Sequence, residues 1–251
     1  VAGGLAAGRP RRPAPRLVPD PGYWRQEINH VIKARGLREF PDYTGIDRLG
    51  RKVPLQTQHK AAVWDLYVEY QRRLAAAALL DHNDVLAMAV AELERCPPEP
   101  GYASVMVDEV TDLNLLGLRL VRLLAGDGPD LLLLIGDGRQ AVYPGGARLH
   151  DAGIDVTGRA IVLRDNYRNT GAVLQAAALL TPAVASADPD DHGDDTATVT
   201  RPGGRDARWF TGTNLRTHDR ALLDDLHDTA ARLGGHAGLA VLCDTLDHVE
   251  G

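Results

Sequence analysis

The chain has 251 residues, of which 44% are hydrophobic and 25% charged, a composition for one large or two small globular domains and not for a disordered chain. Twenty-eight Lys and Arg against 34 Asp and Glu leave a formal net charge of −6, which disfavours a general polyanion binder but leaves room for a local basic groove. Two cysteines, Cys96 and Cys243, exclude a disulfide-stapled scaffold and a Cys-rich zinc site. The longest strongly aliphatic run, Leu131 to Ile135, is far short of the about 18–20 residues of a membrane span. The Arg-bearing Ala/Gly/Pro start from Val1 to Arg16 lacks the apolar core of a signal peptide, so the expected location is the cytoplasm, away from any membrane.

In chain order, residues 1–22 carry Gly3, Gly4, Gly8 and five prolines, which predicts an irregular basic lead-in. From Tyr23 a helical period places Trp24, Ile28, Val31 and Ile32 on one face, with Gly36 as the stop. Residues 37–56 read as a loop. A long helix is expected from about Thr57, with Val63, Leu66, Tyr67, Tyr70 and Leu74 inward and Glu69, Arg72 and Arg73 outward. Asp81-His82-Asn83-Asp84 interrupts it, Val85 to Leu93 begins another helix, and the run from Cys96 to Gly101, with Pro97, Pro98 and Pro100, breaks the chain. Trp24, Trp64 and Trp209 are expected in cores.

The texture then changes. Val105 to Val107 is a short apolar strand ending on Asp108 and Glu109; Leu115 to Ala125 is helical; Leu131 to Ile135 is a strand ending on Gly136 and Asp137. Ile161 to Leu163 reads as a third strand, followed by Asn166-Tyr167-Arg168, and Thr170 to Leu180 as a helix with Thr170 as its N-cap. Residues 182–204, with Asp188, Asp190, Asp191, Asp194 and Asp195 among small residues, read as a solvated acidic loop. A strand at Arg208 to Thr211, a helix at Asp219 to Leu233 and a strand at Leu239 to Cys243 complete the pattern. Short apolar strands alternating with helices predict a parallel α/β sheet covered on both faces.

Ligands of such a sheet collect at the carboxyl ends of its strands. Three of these ends carry polar groups: Asp108-Glu109, Gly136-Asp137 with Gln140, and Asn166-Tyr167-Arg168. Paired acids after a strand can divide the labour of nucleotide hydrolysis, one holding Mg²⁺ and one orienting the attacking water. A glutamine can sense the γ-phosphate and an arginine can stabilise the charge developing on it. Singly, each pattern has a plain structural alternative: Asp-Glu can be a helix N-terminal charge pair, and Tyr143 a packed aromatic.

Together, order and spacing resemble one family. Val105-Met-Val-Asp-Glu-Val-Thr-Asp-Leu-Asn114 resembles the Walker B segment of UvrD/Rep/PcrA-type superfamily 1 DNA helicases. Leu133-Leu-Ile-Gly-Asp-Gly-Arg-Gln-Ala-Val-Tyr143 is similar to their GD-x-x-Q-x-x-Y motif, and Leu163-Arg-Asp-Asn-Tyr-Arg-Asn-Thr170 to their NYR segment. Asp81-His-Asn-Asp-Val-Leu86 stands where the family has D-F-x-D-L-L, and Leu239-Ala-Val-Leu-Cys243 resembles a strand of the second motor domain.

The resemblance implies a RecA-like parallel sheet of P-loop NTPase type, present in part. A helical insertion at 23–100 follows the lead-in at 1–22. The rear of the first motor domain would occupy 101–162, and the front of the second 163–251. It implies a 3′→5′ motor that couples ATP hydrolysis to movement on single-stranded DNA, with ATP and Mg²⁺ as cofactors. Other repair or defence proteins would be partners. Asp108 would bind Mg²⁺ and share catalysis with Glu109 as base. Gln140, Tyr167 and Arg168 would contact ATP, and Tyr143 and Asn166 DNA.

Departures accompany the matches. Thr111 replaces a glutamine of D-E-x-Q-D, and Pro144-Gly145-Gly146-Ala147 replaces an aromatic and an arginine, which weakens the DNA-contact reading. No G-x-x-x-x-G-K-[ST] loop occurs in the 251 residues. In the family that loop precedes the insertion, and with a start at Val1 and an end at Gly251 the sequence is expected to be a window on a longer motor, inactive alone as an ATPase. The alternatives are a non-enzymatic helicase-like module that binds DNA or protein, and one subunit of a split motor.

Overall fold

The structure, a computed structural model, describes residues 21–48, 51, 53–137, 147–180, 198–201, 203, 214–235 and 239. The chain divides into two compact units, one running to Ile161 and the other beginning at Val162.

In the first unit, α1 (Pro21–Glu27) continues through a π turn (Ile28–Ile32) and a 3₁₀ turn (Lys33–Arg35). Gly36 stops it: its φ of 66° is left-handed, which favours glycine, and an added Cβ would lie 3.0 Å from Leu116 Cδ2, so that Leu116 would have to shift. The expected loop at 37–56 contains a short helix, α2 (Phe40–Gly45), with a proline in its first turn. Local composition hid it, because it is held by tertiary packing: Tyr43 is fully buried and stacks on Trp64 with ring centroids 6.0 Å apart.

Helix α3 (Thr57–Ala76) starts where its period predicts. Val63 enters the core, joined by Trp64, Tyr67 and Tyr70, whereas Leu66 is half exposed. The buried stripe is therefore rotated towards Trp64, whose ring meets those of Phe40, Tyr43 and Tyr67. Trp24 also packs there, as expected, and Trp209 lies outside the described residues. Helix α4 (His82–Arg95) opens on a reciprocal capping box, in which Asp81 accepts from the Asp84 amide and Asp84 from the Asp81 amide.

Two ionic clusters fix this helical segment. Glu27, fully buried, accepts a fork from Arg48 (Nε to Oε1 2.6 Å, Nη2 to Oε2 2.7 Å), a bond from Arg51 Nε (2.9 Å) and one from the Tyr43 hydroxyl (2.9 Å). Lys33, also buried, reaches Asp81 and Asp84, each at 2.7 Å, and Gln71 at 2.6 Å.

Beyond the proline break, β1 (Val105–Val107) pairs in parallel with β2 (Leu132–Leu134), Val105 opposite Leu132 and Val107 opposite Leu134. The crossover is α5 (Leu115–Ala125), which buries Leu115, Leu116, Leu118 and Ala125. A 3₁₀ turn at Leu149–Ala152 packs on α5, with Ala152 beside Leu115 and Leu118. The expectation of a sheet covered on both faces is not met: Val105, Val107, Leu132 and Leu134 are half-buried, but Met106 is 70% and Leu133 50% exposed. Two strands and one crossover helix cover a single face.

In the second unit, β3 (Asp165–Thr170) pairs in parallel with β4 (Thr198–Arg201), and α6 (Gly171–Leu180) and α7 (Leu215–Leu233) follow their strands. Two expectations are corrected. Residues 161–163 form no strand, and Ile161 and Leu163 are more than four-fifths exposed; the strand lies on the polar run that follows, because backbone pairing with β4 selects it. The acidic segment 182–204, read as loop throughout, supplies β4 at its C-terminal end. Helix α7 begins earlier than expected, at a capping box between Asn214 and Thr217. The strands expected at Arg208–Thr211 and in 239–243 lie outside the described residues, apart from Leu239. The described elements thus make a mixed helix and sheet structure with short parallel pairing.

Candidate functional site

The carboxyl ends of β1 and β2 are stitched together by backbone bonds. The Ile135 amide donates to the Val107 carbonyl (2.8 Å), and the Val110 amide returns to the Ile135 carbonyl (2.9 Å). Asp108 and Glu109 project from the loop between these two bonds, and Gly136 and Asp137 begin the neighbouring loop. The junction is tight: a Cβ on Gly136 would meet Val110 Cγ1 at 2.8 Å and Thr111 Cγ2 at 3.4 Å. The structure therefore brings together the first two of the three polar strand ends picked out in the sequence, and does so through main chain.

Both acids are exposed. Asp108 Oδ1 accepts from the Glu109 amide at 2.9 Å, an interaction that turns the chain sharply as it leaves the strand. Glu109 has φ 51° and ψ 45°, left-handed values that an L residue with a long side chain rarely adopts. Among the described residues the Glu109 carboxylate and Asp108 Oδ2 have no hydrogen-bond or ion-pair partner. Backbone strain beside open carboxylates is typical of sites where geometry serves a ligand rather than stability. A 3₁₀ turn (Val110–Asp112) follows, and Asn114 caps α5 by accepting from the Gly117 amide at 2.9 Å.

Thr111 lies within this turn, and its hydroxyl oxygen is buried without a hydrogen-bond partner among the described residues, while its methyl faces the Gly136 approach. The side chain is therefore packed inward and extends no polar group across the site. Gln140 and Tyr143 lie outside the described residues.

The third polar end belongs to the second unit. Asn166 Oδ1 accepts from the Arg168 amide (3.1 Å) and the Asn169 amide (2.8 Å), which folds the chain back on itself. The register of β3 against β4 is irregular over this stretch, between Asn166 and Thr170. The consequence is exposure: the Tyr167 ring is 70% exposed with its hydroxyl 3.4 Å from Asp165 Oδ2, and Arg168 is exposed beside it. The motif thus sits on the strand itself, not after it, presented by an Asx turn.

Sequence reasoning missed several residues that hold this site. Asn83 and Asn114 are bonded to each other (2.9 Å) although 31 positions apart, and no local pattern reports such a pair. Lys33 and Glu27, which no sequence motif singles out, are both buried. The acidic cap at Asp81 and Asp84 was visible as a break, but its partner Lys33 was not.

As for chemistry, among the described residues no three His, Cys, Asp or Glu side chains cluster as a metal cage. No helix of the described residues is long and apolar enough to cross a membrane. What the β1 end offers is two exposed oxygen-donor carboxylates in adjacent positions on a strained turn.

Comparison with known proteins matches this region. Residues 33–146 fit the model of the UvrD/REP helicase N-terminal domain. The ATP-dependent DNA helicase UvrD1 of Mycobacterium tuberculosis is 39% identical over 132 residues, 46% of this chain and 17% of the relative. UvrD1 of Mycobacterium leprae is 34% identical over 131 residues, 45% of this chain and 17% of the relative. The ATP-dependent DNA helicase PcrA of Staphylococcus aureus is 31% identical over 135 residues, 47% of this chain and 18% of the relative. The matches span less than a fifth of the relatives' length. The family-matched residues 33–146 include the Asp108–Glu109 loop, and over about half of its length the chain is homologous to the UvrD/Rep/PcrA-type DNA helicases.

Proposed function

We propose that the chain is part of an ATP-dependent 3′→5′ DNA helicase or translocase motor of RecA-like architecture, with 23–100 as its helical insertion and the β1–β2 region as part of its nucleotide side. The observation that carries this reading is the Asp108-Glu109 pair, open and strained at the carboxyl end of β1. The Gly136-Asp137 end of β2 is hydrogen-bonded beside it.

In this reading Asp108 binds Mg²⁺, and the residues fit: an exposed carboxylate with one oxygen uncommitted suits an ion that takes one or two carboxylates and fills its shell with water and phosphate oxygens. The ion supplies charge neutralisation on the phosphates. Glu109, exposed on its left-handed backbone, orients and deprotonates the attacking water. Tyr167 stacks on the adenine and Arg168 contacts the γ-phosphate, both presented by the Asn166 turn. Gln140 couples the phosphate to the DNA path, and Tyr143 and Asn166 contact single-stranded DNA. Domain limits follow the sequence reading, with 101–162 and 163–251 as parts of two motor lobes, in a cytoplasmic DNA-repair setting.

The 251 residues contain no G-x-x-x-x-G-K-[ST] loop. The chain alone is therefore ATPase-deficient, because such backbone amides and lysine hold the phosphates. An ATPase assay with single-stranded DNA tests this: negligible turnover is expected. Multiple turnovers that vanish in Glu109→Gln would overturn the claim of deficiency. Addition of a polypeptide carrying a UvrD-type phosphate loop should restore Glu109-dependent hydrolysis if the motor reading holds.

The same missing loop favours a second reading, a helicase-like module that binds DNA or a protein without turnover. It predicts saturable single-stranded DNA binding that neither ATP nor Glu109→Gln alters.

A further inference from the structure

Three features of the first unit meet at one point: the α4 cap, the π turn after α1, and the start of α5. Lys33 anchors the first turn of α4 by ion pairs with Asp81 and Asp84. Tyr70 donates to Asp81 Oδ2 (2.8 Å) and Gln71 to Asp84 Oδ1 (3.1 Å), so this turn is tied to α3 as well. Asn83 lies between the two anchoring acids, half-buried. Its Nδ2 donates to the Asn29 carbonyl (3.1 Å), and its Oδ1 accepts from Asn114 Nδ2 (2.9 Å). Asn114 Oδ1 in turn accepts from the Gly117 amide.

The direction of this chain of bonds is fixed chemically. The Asn29 carbonyl can only accept, so Asn83 must present its amide nitrogen there and its oxygen to Asn114. The Gly117 amide can only donate, so Asn114 must present its oxygen there and its nitrogen to Asn83. Both amides are thus used at both ends, head to tail, and neither can flip without losing two bonds. Asn114 also closes the segment that begins at Asp108, and the five residues between 108 and 114 include the strained Glu109.

We infer that Asn83 and Asn114 form a positioning relay that ties the Asp108–Glu109 loop to the helical segment, so that a displacement of α4 is felt at the loop. The inference rests on reading Asp108 and Glu109 as the nucleotide-site acids; the relay itself is a matter of this chain's own bonds. A lone N-cap on α5 would need only an acceptor at position 114. The relay needs in addition the Asn114 nitrogen, an acceptor at position 83 and a reach that spans both.

Amide hydrogen exchange on the full 251-residue chain, without nucleotide or DNA, tests it by variants that separate capping from relay. Asn114→Ser keeps a good N-cap but is too short to reach Asn83. Asn83→Leu removes both bonds, and Asn83→Asp keeps the acceptor for Asn114. Exchange over 108–117 should rise at least tenfold in Asn114→Ser and Asn83→Leu, with the later turns of α5 unchanged, and should fall back to within about threefold of the parent in Asn83→Asp. Parent-like exchange in Asn114→Ser, or an Asn83→Asp variant as loose as Asn83→Leu, overturns the relay. If Asn83→Leu fails to fold, Asn114→Ser decides alone. Failure of the nucleotide-site reading would leave these exchange ratios as they are and would show only in the complementation ATPase assay.

Discussion

The helical segment 21–95 and the β1–β2 region 105–137 belong to one compact unit, yet they are built on opposite principles. In the helical segment the charges are buried and answered: Glu27 receives four bonds and Lys33 three acceptors. In the strand region the notable charges, Asp108 and Glu109, are exposed, and the apolar residues Met106 and Leu133 are exposed as well. A buried ion pair contributes little net stability relative to an apolar substitute, but breaking one partner is costly, so it fixes a single arrangement. An open carboxylate on a strained turn costs stability and leaves the group available for a ligand. The two halves therefore divide the work between holding a geometry and offering a site.

The largest expected effect comes from breaking the answered charges. Glu27→Ala leaves two guanidinium groups buried without their carboxylate and should cost about 3–5 kcal/mol in denaturant unfolding. A loss below about 1 kcal/mol would show that Arg48 and Arg51 find water or other acceptors. Acid should expose the same cluster. Burial raises the Glu27 pKa, but the hydrogen bond and charge of Arg48, with Tyr43 and Arg51, outweigh it and hold the group below its ordinary value. Its contribution is present above the unfolded carboxylate range and is lost as pH falls through the lower folded value. The unfolding midpoint should drop below about pH 4, where unfolded carboxylates take up protons, and Glu27→Gln should make that acid limb shallower.

A smaller effect is expected at the strand junction. Gly136→Ala places a methyl against Val110 and should cost about 1–3 kcal/mol by overpacking. Near-ultraviolet circular dichroism and tryptophan fluorescence of the aromatic core around Trp64 should report the parent environment, which localises the damage to the β1–β2 side.

The smallest effect should have the opposite sign. Glu109→Asn puts a residue that tolerates left-handed φ where Glu is strained, and should stabilise the chain by about 0.5–1 kcal/mol in thermal or denaturant unfolding. A loss instead would mean that the Glu109 side chain is bound within the fold and not held open for a ligand.

What was legible in the sequence was local. The Gly36 stop, the start of α3 at Thr57, the Asp81 break and the two short strands ending on Asp108-Glu109 and Gly136-Asp137 all follow from capping residues, period and apolar runs read over a few positions. So did the acids of the candidate site, since residues that end a strand are neighbours in sequence. What stayed hidden depended on distant partners. Helix α2 owes its place to Trp64, about twenty positions on, and β3 was set on a polar run by β4, which no apolar count selects. The burial of Glu27 and Lys33 and the pairing of Asn83 with Asn114 join residues 16 to 51 positions apart.

The sequence by itself determined which residue types stand at the strand ends, and hence the chemistry that the chain can offer. Tertiary structure alone decided which charges are answered and which are left open. A charge has no preferred depth until packing removes water from it, and only then does its partner become obligatory.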